Sequence, residues 1–89
     1  MATQPPSTAV PPIEVVTSEV VATLAFAAHG YLSGASEGEP PDLNAAEIAI
    51  DLAGSAYERI APRLSPDERS ALAALLTDLR LTFVRKRGP

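Results

Sequence analysis

The chain reads as all-α, an apolar first helix followed by an antiparallel helix 2–helix 3 hairpin, and three observations predict this. Leu43, Ala46, Ile50, Ala53, Tyr57, Ile60 and Leu64 follow one another at spacings of 3, 4, 3, 4, 3 and 4, which draws one apolar stripe along a helix. Leu72, Leu76, Leu79 and Phe83 continue at 4, 3 and 4 after Ser65-Pro66-Asp67-Glu68, a helix start signal. No segment alternates apolar and polar residues as a half-buried strand would. The expected organisation is a single helical domain over residues 13–87, with helices at about 13–32, 43–61 and 66–87, behind a Pro-rich flexible arm, residues 1–12.

The arm holds Pro5, Pro6, Pro11 and Pro12 among small and polar residues, too little apolar surface to order itself. Pro12 is placed in the first turn of the next helix, where its missing N–H costs nothing. Helix 1 is apolar on several sides. Ile13, Val16, Val20, Leu24, Ala27 and Tyr31 make one face, Val21, Ala25, Ala28 and Leu32 a second, and Phe26 points a third way. A helix apolar nearly all round must be buried all round. The hairpin covers one side, and a second copy of the chain is the simplest cover for the rest. A membrane span is disfavoured, since the uncharged stretch from Val20 to Ser36 falls short of about 20 mostly apolar residues.

Gly30, Gly34, Gly38 and Pro40-Pro41 are expected to end helix 1 and form a loop; no Gly-Lys-Ser/Thr follows that would bind phosphate. Helix 2 opens at Asp42 or Asn44, with Glu47 three residues after Asn44 as a capping box requires. It ends near Ala61, because Pro62 disfavours helical geometry in the residue before it. Helix 3 opens with Ser65 as cap, Pro66 at its first position and Glu68 closing the box, and it ends with Arg85, Lys86 and Arg87 beside the negative end of the helix dipole. The short turn makes helices 2 and 3 antiparallel. Ile50 then faces Leu79, Ala53 faces Leu76, Tyr57 faces Leu72 and Ala46 faces Phe83, small residues meeting large ones.

Length and composition narrow the function. Folding 89 residues buries about 60–65% of the unfolded surface, so help from a partner chain is expected. With no cysteine and one histidine, His29, neither a disulfide framework nor a structural zinc site can form; no metal or cofactor is expected. No Lys or Arg precedes Arg59 to start a secretory signal, which points to the cytoplasm. Residues 1–58 carry eight acids and no bases, whereas residues 59–89 carry seven bases and three acids. Such halves pair within or between chains more readily than they form a nucleic-acid surface.

From Asp42 onward, Asp42-Leu43, Ala46, Ile50-Asp51-Leu52, Gly54, Glu58, Leu64, Glu68, Leu72, Leu75-Leu76, Asp78-Leu79-Arg80 and Val84 resemble the bacterial domain of unknown function family 1844. The resemblance covers about residues 14–85, with helix 1 similar to the family's leading apolar helix. It implies a small cytoplasmic helical protein without assigned activity. Where the family carries a Lys-Thr-x-Gly-Asn-like turn, this chain has Arg59, Ile60, Ala61, Pro62 and Arg63, and Phe83 stands where the family tends to have Tyr. A family function carried by that polar turn would be lost here.

The candidate chemistry is sparse. His29 and Ser33 lie one turn apart, yet no acid on that face orients the histidine, so catalysis is not expected. Asp51 and Arg80 come close in the hairpin register and are expected to form a partly buried ion pair that fixes it. Arg85, Lys86 and Arg87 are candidate partner or phosphate contacts, without interleaved aromatics for base stacking. The expected function is a non-enzymatic helical interaction module that self-associates, as a dimer in the simplest case, through Val20, Val21, Leu24, Phe26, Ala28 and Tyr31, and presents the hairpin to a protein partner. The alternative is a nucleic-acid- or ribosome-associated factor using the basic end.

Overall fold

A computed structural model describes residues 10–34 and 38–88. Over these the protein is three helices and a short turn: α1 (Ile13–Ser33), α2 (Leu43–Ile60), a 3-10 turn (Ala61–Arg63) and α3 (Pro66–Arg87). There is no strand among the described residues. Most of the predicted arm lies outside them, and Val10, Pro11 and Pro12 are exposed and precede the helix.

Local chemistry sets the boundaries. Pro12 is the N-cap of α1 rather than part of its first turn, and its carbonyl accepts from the N–H groups of Val15 (3.0 Å) and Val16 (3.2 Å). The helix runs through Gly30, one residue beyond the expected end near Leu32, and stops at Gly34. That residue has φ of 88°, and a Cβ there would meet the Glu39 carbonyl oxygen at 2.7 Å, so both backbone and space demand glycine. The loop is drawn back by the N–H of Asp42, which donates to the carbonyl of Tyr31 (2.8 Å). Asp42, not Asn44, caps α2 by accepting from the N–H of Ala45 (3.0 Å). The predicted box on α3 is complete: Glu68 N–H donates to Ser65 Oγ (3.2 Å) and Ser65 N–H donates to Glu68 Oε1 (2.9 Å).

Between α2 and α3, Arg69 reaches back and donates to the carbonyls of Leu64 (2.9 Å) and Ala61 (3.3 Å), while the Tyr57 hydroxyl donates to the Arg69 carbonyl (3.3 Å). The two Arg69 bonds fasten the carbonyls of the turn between the helices, and the Tyr57 bond ties the end of α2 to the first turn of α3.

The core forms where the three helices meet. Ala25, Ala28 and Leu32 of α1 pack with Ala46, Ala49 and Ile50 of α2 and Leu79 of α3, and Val21, Ala53 and Leu76 make a second layer. The predicted hairpin register holds: Ile50 meets Leu79, Ala53 meets Leu76, and Tyr57, Leu72 and Phe83 border the layers they were assigned to. Alanine meets alanine along α1 and α2, which lets these two helices approach most closely. One end of that pair is tied by Arg63, whose Nε donates to Glu14 Oε1 at 2.9 Å.

Candidate interaction surface

α1 presents two apolar faces and the fold buries one. Val21, Ala25, Ala28 and Leu32 are buried against α2 and α3. Val16, Val20 and Tyr31 remain exposed, and Leu24 and Ala27 are half-buried. They run beside a second apolar strip on α2, where Ile48 and Leu52 are 53% and 54% exposed. Leu24, Ala27 and Tyr31 together with Ala45, Ile48 and Leu52 line a shallow cleft of about 270 Å³, to which α3 contributes nothing. The α1–α2 pair is thus a layer with α3 on one side and no cover on the other.

A larger cleft of about 700 Å³ adjoins it and shares Ala27 and Tyr31. Its walls are Phe26, Gly30 and the loop residues Gly34, Glu39, Pro40 and Asp42. Phe26 is 82% exposed, so the most apolar side chain off the two faces stands almost free at its rim. The two carboxylates are at this end of the layer; the first cation, Arg59, is exposed at the other end of α2.

Several sequence-predicted residues need reassignment. Val21 and Ala28, assigned to self-association, have no exposed surface and belong to the chain's own core, because they face the alanines of α2. Val20, Leu24, Phe26 and Tyr31 are accessible to a partner. The Asp51–Arg80 pair does not form. Both residues are exposed, the Arg80 guanidinium lies over the bare backbone of Gly54, and the ion pair between Glu14 and Arg63 is the one found among the described residues. Gly54 leaves room for the tip of the arginine, which a Cβ would displace, and an exposed pair gains too little to pull it away. Arg85 donates from Nη2 to Thr82 Oγ1 (3.2 Å), and the Arg87 guanidinium stacks over the Phe83 ring at 5.7 Å, so two of the three terminal cations engage their own helix. His29 and Ser33 are exposed on α1.

Ile48 and Leu52 were missed from sequence. With Ala45 they repeat at 3 and 4, a second stripe on α2 that the longer core stripe overshadows.

By length and composition α1 is apolar enough to cross a membrane, a test that a core helix also passes. The family model described as "Domain of unknown function (DUF1844)" matches residues 14–85. The chain belongs to this family. No curated protein and no solved structure matches it. The uncovered face of this DUF1844 domain, from Val16 to Leu52, lies wholly inside the matched region.

Proposed function

We propose that the domain is a self-association module, acting through a surface rather than a reaction, in which a second copy covers the uncovered face of α1 and α2. The observation that carries this is the apolar strip of Val16, Val20, Tyr31, Ile48 and Leu52 around half-buried Leu24, left bare while the positions facing α3 are filled. Bare apolar surface of this extent marks an interaction site. A helix of 21 residues is about 31 Å long, and two close-packed helices are about 20 Å wide, so the face has an outline of roughly 600 Å². A corrugated face of that outline offers accessible surface near the ~800 Å² per partner of a standard interface.

Charge favours a second copy over a lipid surface. The charged residues of α1 are Glu14 and Glu19, and no cation precedes Arg59. Helices that lie on bilayers carry Lys and Arg beside their apolar face; this one would bring carboxylates to anionic headgroups. Light scattering on the sized protein should give the mass of two chains, and Leu52→Asp should reduce it to one while the helical signal persists, because an unpaired carboxylate in a dry interface is costly. A folded wild-type protein of single-chain mass at micromolar concentration would overturn the reading.

A further inference from the structure

We infer that the two copies pair antiparallel, about a two-fold axis that lies in the interface and crosses the helices, setting α2 on α2 and α1 on α1. This rests on the self-association reading and specifies its geometry. The cleft between α1 and α2 is lined by no charged side chain, so charge acts only at the ends of the face. At one end Glu39 and Asp42 line the adjoining cleft. At the other, Arg59 lies seven residues, two turns, beyond Leu52, on the same side of α2, and is exposed.

Face-to-face pairing about a two-fold axis permits two arrangements. An axis running along the helices stacks α1 of one copy on α2 of the other at the same level. Arg59 then lies over the Val16 end of the second copy, where Glu14 is already paired with Arg63 and Glu19 stands three residues on, and Glu39 and Asp42 stay without a counterion. An axis crossing the helices reverses the second copy end for end. Each Arg59 then meets Glu39 and Asp42 of the other copy, twice by symmetry.

The apolar residues fit the same axis without further adjustment. Arg59 opposite Asp42 places the axis midway between Ile48 and Leu52, so Ile48 of each copy packs on Leu52 of the other and Ala45 lies opposite Ala56. Within one chain Ala25 packs in a layer with Ala49, and Val21 with Ala53, which puts that level of α2 beside Thr23 and Leu24 of α1. An axis there sets Val16 opposite Tyr31 and Val20 opposite Ala27. The exposed face of α1 is therefore complementary to its own reverse, large residues meeting smaller ones.

The natural chain has no cysteine, so single-cysteine variants report the geometry directly. Thr23 is exposed on α1 at the level of the axis. With a short thiol-reactive crosslinker, Thr23→Cys should therefore join to itself. Val16→Cys and Tyr31→Cys should each fail alone and crosslink when mixed. Arg59→Glu should raise the dimer dissociation constant by about tenfold or more, since it turns both end contacts repulsive. Crosslinking of mixed Ala27→Cys and Ile48→Cys chains with none at Thr23→Cys would establish the other axis and overturn the inference, leaving self-association intact. An unchanged constant for Arg59→Glu would also overturn it. A single-chain mass for the unmodified protein would remove the reading beneath it.

Discussion

The two apolar faces of α1 are nearly indistinguishable in hydrophobicity, yet one is fully buried by the chain and the other is left bare. The buried face is Val21, Ala25, Ala28 and Leu32; the bare one is Val16, Val20, Ala27 and Tyr31, with Leu24 at the border. Shape separates them. Ala25 and Ala28 match Ala46 and Ala49 across a close helix contact, and closeness lets α3 reach both helices with Leu76 and Leu79. Val20 and Tyr31 hold neighbouring backbones apart and suit a wider, later contact. Hydrophobicity thus marks what must be covered, and size decides whether the chain itself does the covering.

The largest expected effect tests this division directly. Leu32→Ala should destabilise the fold by about 2–5 kcal/mol through the cavity it leaves, as read by chemical denaturation. Val20→Ala should change the stability of the isolated chain by no more than about 0.5 kcal/mol while weakening self-association. Equal unfolding costs at the two sites would erase the distinction between the faces.

A substitution that touches neither face sharpens it. Ser65→Ala should cost about 0.5–2 kcal/mol through loss of the α3 cap and leave the proposed self-association unchanged, whereas Ser70→Ala, exposed on the same helix, should be near neutral. Similar losses at both serines would place the start of α3 elsewhere.

The smallest effect lies where α1 is tied to the hairpin. Glu14 is held below its ordinary value of 4.5, first by a hydrogen bond from its own backbone N–H at the helix start and then by Arg63. A depressed carboxylate pKa contributes stability that is present above the unfolded value and lost as pH falls through the folded one. An NMR titration should therefore place the Glu14 midpoint below 4.5, and Arg63→Ala should raise it only in part, because the backbone bond remains. A midpoint at or above 4.5 would remove this anchor from the buried side of the comparison.

The fold was legible because its signals are periodic and local. Apolar spacing placed three helices within a few residues of their observed ends, and the Ser65–Glu68 box was read in full. The hairpin register followed from matching small residues to large ones. Rotation of α1 was not legible, since two faces qualified and their choice depends on alanines of another helix. Val21 and Ala28 were misassigned for that reason. The Asp51–Arg80 pair failed because proximity in register says nothing about where a long side chain rests, and Gly54 supplied a resting place. Arg69 gave no periodic signal, as its work is done on carbonyls of a turn whose place the sequence indicates but whose backbone path it does not.

The Arg69 turn also bears on the order in which the molecule assembles. Tyr57–Arg69, Leu64–Arg69 and Ser65–Glu68 are separated by 12, 5 and 3 residues, so closing them costs little chain entropy. At α1 the bond from Asp42 N–H to the Tyr31 carbonyl spans 11, whereas Glu14 to Arg63, at the other end of the helix, spans 49. The two turns are accordingly expected to close first and the N-terminal end of α1 to dock last. Reversed, the same order makes the N-terminal end of α1 the first segment released in a partial opening, and what it then exposes is both of its apolar faces at once. Two copies caught in that state would hold interchangeable segments, so the proposed pairing and the entanglement that would compete with it begin at the same place.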